Sequence, residues 1–135
     1  MKRLIIHRKK KFASAFMPYW IIIGIDKRTF MEQYNLVGDL CETSSGQPIS
    51  RISHDILKKY HSIENGECVQ IELNDDSNTA FAITFDGNLS NEVILNNGVE
   101  ADGVTVYSYD LTTKGGFLKT SYPWFIETPN CRNNM

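Results

Sequence analysis

The sequence predicts a mainly β domain: an antiparallel β-sandwich or partly open barrel of 7–8 short strands, with one or two short helices in its first half. Three observations carry this expectation. From Cys68 onward, apolar residues recur at every second position. Turns built on Gly and Asn separate those runs at short intervals. The first half holds two apolar runs rich in β-branched and aromatic residues, and two segments that carry helix-start signals.

The elements follow in chain order. Leu4 to Arg8 and Tyr19 to Ile25 read as strands, with Pro18 just before the second. Thr29-Phe30-Met31-Glu32 has the spacing of a capping box and predicts a short helix to about Tyr34. Asn35 to Pro48 is dense in Gly and Ser and reads as a loop. Ser53 is placed to cap a second helix from His54 to Tyr60, with Ile56, Leu57 and Tyr60 near one face.

Beyond the turn Glu64-Asn65-Gly66, Cys68 to Leu73 puts Val69, Ile71 and Leu73 on one face, with Gln70 and Glu72 on the other. Ala80 to Phe85 is expected to turn Phe81, Ile83 and Phe85 inward. Glu92 to Leu95, Val104 to Tyr109 and Phe117 to Glu127 complete the strands. At 135 residues, this is a single all-β domain over 1–128 with an insertion at 27–60, and 129–135 reads as a disordered tail.

Charge is unevenly spread. Six of the fourteen basic residues fall in the first eleven positions, and the other 124 residues hold eight basic against sixteen acidic. From Tyr60 through Thr113 there are ten carboxylates and no Lys or Arg. Nucleic acid is therefore not an expected partner, because phosphate recognition needs a continuous basic face. The basic opening segment is expected to dock beside the acidic stretch of its own chain.

Arg8 to Lys11 followed by Phe12 to Ile25 imitates an export signal, but Pro18 interrupts the apolar run and Asp26-Lys27-Arg28 follows it. A buried strand and no transmembrane span are the expectation. Three cysteines, Cys41, Cys68 and Cys131, form no C-x-x-C pair and favour a reducing, cytoplasmic setting.

Leu4 to Phe12, the strand ending Gly24-Ile25-Asp26, the turn Ile63 to Glu67 and the segment Ser90-Asn91-Glu92 together resemble small bacterial β-sandwich domains of the PEGA-like type. The resemblance covers about two-thirds of the chain, although the Pro-Glu-Gly-Ala signature is missing and Lys27 stands where a Gly would complete an Asp-Gly turn. It implies a non-catalytic interaction module and supplies no catalytic residues.

Among residues with chemistry to offer, Tyr19, Trp20, Tyr122 and Trp124 stand out as two proline-flanked aromatic pairs. They suit stacking on a sugar ring or anchoring a protein contact. Asp75, Asp76 and Asp86 crowd neighbouring turns and are a calcium candidate, although the spacing fails as an EF-hand. His54 and His61 are spaced poorly for zinc. A cysteine-dependent hydrolase would need Cys41 or Cys68 beside a histidine oriented by a carboxylate.

The resulting expectation is a non-catalytic binding module with a protein or glycan partner and no cofactor. A carbohydrate- or cell-envelope-associated domain stands second, and the small hydrolase third. An exposed edge strand allows a homodimer.

Overall fold

The structure is a computed structural model that describes residues 1–10, 17–34, 52–74, 76–85, 87–96, 98–114 and 122–127. Its elements are β1 (Lys2–Arg8), β2 (Tyr19–Ile23), α1 (Lys27–Gln33), α2 (His54–Leu57), β3 (His61–Ile63), β4 (Cys68–Leu73), β5 (Thr79–Ile83), β6 (Val93–Ile94), β7 (Val99–Ala101), β8 (Val104–Lys114) and β9 (Tyr122–Glu127). One sheet has the order β4-β1-β8-β7, with β9 also on β8; the other has the order β3-β2-β5-β6. The mainly β, sandwich-like architecture expected from alternation is therefore present, and the described strands form no closed barrel.

The antiparallel expectation has one exception. β1 runs antiparallel to β4 but parallel to β8, with Lys2 opposite Thr105 and Arg8 opposite Leu111. This inserts the basic opening strand into the acidic stretch, where Arg3 Nε meets Glu72 Oε1 at 2.8 Å. β3 and β7 were not anticipated as strands, because three residues are too few to display a period. β8 runs on to Lys114, and its two halves pair with β7 and β9 in turn.

The core is divided by the second sheet. Leu4, Ile6, Tyr19, Ile21, Ile71, Ala80, Ala82, Tyr109, Leu111 and Phe125 pack between the sheets. Trp20, Ile22, Phe30, Leu57, Phe81, Ile83 and Leu89 form a separate cluster on the opposite face of β2 and β5, under the two helices. β2 is thus buried on both sides, which is why Tyr19 to Ile23 shows no alternation in sequence.

It follows that Phe81 and Ile83 face the helical layer, and the small Ala80 and Ala82 face the sandwich interior. Phe85, expected inward, is 45% exposed, because β5 ends at Ile83 before the turn.

The helices also differ in detail from expectation. α1 starts one turn earlier than the capping-box spacing implies: Asp26 is the N-cap, accepting from the Thr29 N–H at 3.1 Å and from the Thr29 hydroxyl at 2.7 Å. α2 is capped by Ser53 as expected but covers only His54–Leu57. The loop read at Asn35 to Pro48 and the tail at 129–135 lie outside the described residues.

Two polar devices join the layers. Arg8, fully buried, donates from Nη1 to the carbonyls of Met17 (2.7 Å) and Ile63 (2.8 Å) and lies 3.8 Å over the Tyr19 ring. The Tyr19 hydroxyl in turn bonds Thr113 Oγ1 at 2.6 Å, back on the first sheet. Asn91 grips the Phe125 backbone at both groups, accepting from its N–H at 2.8 Å and donating to its carbonyl at 3.1 Å. With Phe125 held there and Pro123 lacking an N–H, the outer edge of β9 is closed to further pairing.

Gly98 leads into β7 where a side chain has no room. A Cβ there would sit 2.5 Å from Thr105 Cγ2 and 2.7 Å from Tyr107 Cε1. Gly98→Ala is expected to destabilise the protein by about 1–3 kcal/mol through overpacking, read as a lower denaturation midpoint at unchanged slope. An unchanged midpoint would mean that the β7 turn yields freely.

Candidate functional site

A cleft opens where the second sheet runs out of strand. β3 pairs only with Tyr19 to Ile21, so beyond His61 nothing extends that edge alongside the end of β2 among the described residues. At the same point Gly24, with φ +93°, turns the chain out of β2 toward α1, a conformation that favours glycine. The result is a cavity of about 240 Å³ between the sheets. Ile21, Ile23, Ile71 and Leu73 supply apolar walls, and Lys59, His61, Glu72, Asn74 and Ser77 supply polar groups. Its lining mixes apolar walls with polar groups, and it is small for a drug-sized molecule.

Past Gly24 and Ser77 the surface continues into a second hollow of about 280 Å³ beside Asp26, Asp76, Asn78 and Thr79. Asp26 is held ionised below the ordinary carboxylate range by its hydrogen bonds from the Thr29 hydroxyl and N–H. Tyr60, on the first cavity, has its phenol pushed up by burial, with Tyr34 adding to the effect.

β4 borders the same cleft, and its ladder fixes which backbone groups face out. The Arg8 N–H bonds the Glu67 carbonyl at 2.9 Å, so the β4 residues that exchange hydrogen bonds with β1 are Val69, Ile71 and Leu73. The backbone groups of Cys68, Gln70 and Glu72 therefore point away from β1, along a sheet edge with no further strand among the described residues.

The aromatic residues read from sequence separate. Tyr19 is fully buried against Arg8, and Trp20 is 6% exposed beneath α2, its ring edge-on to His54 at 6.0 Å. Neither presents a face to a sugar, because two-sided burial of β2 takes both. Trp124 is partly exposed on β9 with Lys114 Nζ 4.2 Å from its ring centre; the side chain of Tyr122 lies outside the described residues. The four residues therefore do not form one surface.

Of the calcium candidates, Asp75 and Asp86 lie outside the described residues and Asp76 is exposed on the second hollow. No cluster of metal-ligating side chains occurs among the described residues. Cys41 and Cys131 are likewise outside them, whereas Cys68 is exposed and stands opposite His7 in the β1–β4 pair, with Asp110 on the far side of His7. Among the described residues no helix is long and apolar enough to cross a membrane.

The cleft walls were readable as core positions, but the cleft itself was not, since it arises from the shortness of β3. No family model, curated protein or solved structure matches the chain.

The Asp26 cap gives a pH test. Its carboxyl is lowered when folded, so the cap contributes fully above the ordinary carboxylate range and is lost as pH falls through the lowered value. In Thr29→Val the Asp26 carboxyl signal in an NMR titration is expected to move up toward the usual value of about 3.9. An unmoved midpoint would show that the Thr29 hydroxyl does not hold the charge.

Proposed function

We propose that the protein is a non-catalytic binding module of the PEGA-like kind, which takes an extended segment of a partner protein along β4. The partner's backbone pairs with the outward groups of Cys68, Gln70 and Glu72, and one of its apolar side chains enters the cleft between Ile23 and Leu73. The supporting observation is the coincidence, among the described residues, of a strand edge with no further strand on it and a cavity with apolar walls at its side. Lys59, His61 and Glu72 offer polar contacts around the inserted residue.

The turn Glu64 to Glu67, closed by the Glu67 N–H to the Glu64 carbonyl at 3.0 Å, leads into β4 as the PEGA-like pattern implies. A cytoplasmic location fits the exposed free thiol of Cys68. A second copy pairing through the same edge is the rival occupant.

Panning a random decapeptide library against the immobilised protein tests this reading. Selected peptides are expected to share alternating apolar positions and to shift the Cys68, Gln70 and Glu72 amides in NMR spectra. Asn74→Trp, which fills the cleft mouth from an exposed turn, should lower their affinity at least tenfold with the melting temperature held. Peptides without a common pattern, affinity indifferent to Asn74→Trp, or a dimer in sedimentation that excludes them would overturn it.

A further inference from the structure

The outer face of the five-stranded sheet carries a row of three groups that sequence separation conceals. His7 on β1 is the register partner of Cys68 on β4 and of Asp110 on β8, so thiol, imidazole and carboxylate lie side by side across adjacent strands. All three point outward, because Leu4, Ile6 and Arg8 on β1, Val69 and Ile71 on β4, and Tyr109 and Leu111 on β8 take the inward positions.

The hydrogen-bond phase of the ladder brings the first pair close. Arg8 and Glu67 bond through their backbones, so His7 and Cys68 form the adjacent non-hydrogen-bonded pair, in which side chains approach most nearly, with Cβ atoms about 5 Å apart. On the other side His7 Nδ1 lies 3.9 Å from Asp110 Oδ1. Cys68 is exposed, the His7 side chain is 57% exposed, and that of Asp110 only 20%. The next charged pair on this face, Arg3 with Glu72, lies four residues along β1, about 14 Å away. Lys9, two residues beyond His7, is exposed.

We propose that Cys68, His7 and Asp110 form a thiol-exchange site at which Cys68 takes up a low-molecular-weight disulfide as a mixed disulfide. His7 accepts the Cys68 proton as Sγ attacks one sulfur of the incoming disulfide. The new S–S bond forms as the old one breaks, its electron pair leaving on the second sulfur as a thiolate. Cys68 is oxidised and half of the disulfide is reduced, so no other oxidant enters. The imidazolium, steadied by Asp110, returns its proton to the released thiolate or to water. Excess thiol reverses the reaction by the same route.

This chemistry suits an open sheet face. It needs only access, a thiol and a proton acceptor.

The test uses the full chain carrying Cys41→Ser and Cys131→Ser, leaving Cys68 as its one thiol. Its rate with a chromogenic aromatic disulfide at pH 7 is compared with that of a free peptide of residues 65–71. The folded protein is expected to react about tenfold faster, a modest share of what a positioned base supplies because the row is open to water. His7→Gln should return the rate to that of the peptide at unchanged melting temperature, and Asp110→Asn should give an intermediate rate. Glutathione disulfide should add one glutathionyl group per chain, removed by dithiothreitol. A parent rate equal to the peptide's, or a His7→Gln rate equal to the parent's, overturns the proposal.

Discussion

Everything in this molecule is arranged around a sheet that must be covered twice. β2 carries large apolar side chains on both faces, and β5 turns Phe81 and Ile83 to one face and Ala80 and Ala82 to the other, so the β3-β2-β5-β6 sheet is stable only with the larger sheet on one side and the helices on the other. The distribution of side-chain size follows. Ala80 and Ala82 sit where Tyr19, Tyr109 and Phe125 need room, whereas Phe81 and Ile83 meet Phe30 and Leu57 in the helical layer. Phe30 lies edge-on to Phe81 at 5.4 Å, tying α1 to the centre of that sheet.

Between the sheets, the interior is not purely apolar. The Arg8 guanidinium ties the end of β1 to carbonyls just before β2 and at the end of β3, and the Tyr19 hydroxyl reaches back to Thr113. Burial lowers the affinity of Arg8 for its proton, with the Tyr19 hydroxyl and Glu64 opposing, yet a guanidinium stays charged under all ordinary conditions. Truncating such a group would strand the buried Ile63 carbonyl and the part-buried Met17 carbonyl, so its value lies more in fixing how the sheets meet than in net stabilisation. The cleft lies at the other end of β3, where its pairing with β2 stops at His61 and the space beyond stays open.

Local signals were legible in sequence and non-local ones were not. β4 was readable to the residue because one of its faces is solvated, and Ser53 was readable as a cap because the cap is a local hydrogen bond. Phe81 and Ile83 were readable as buried, but the layer they enter was not, since alternation distinguishes two faces without naming what covers each. Tyr19 and Trp20 stood out in sequence as binding candidates; continuous burial of β2 puts them in the core. The Cys68–His7–Asp110 row depends on one antiparallel and one parallel register, neither encoded locally.

Hydrogen exchange measured residue by residue addresses the double-covered sheet most directly. The amides of Ile21, Ile22, Phe81 and Ala82 are expected to be the slowest in the protein and to exchange only with global unfolding, while those of the exposed β7 exchange much faster. If the β2 and β5 amides instead exchanged as readily as those of β7, the helices would not be covering the sheet, and the three-layer account would be wrong.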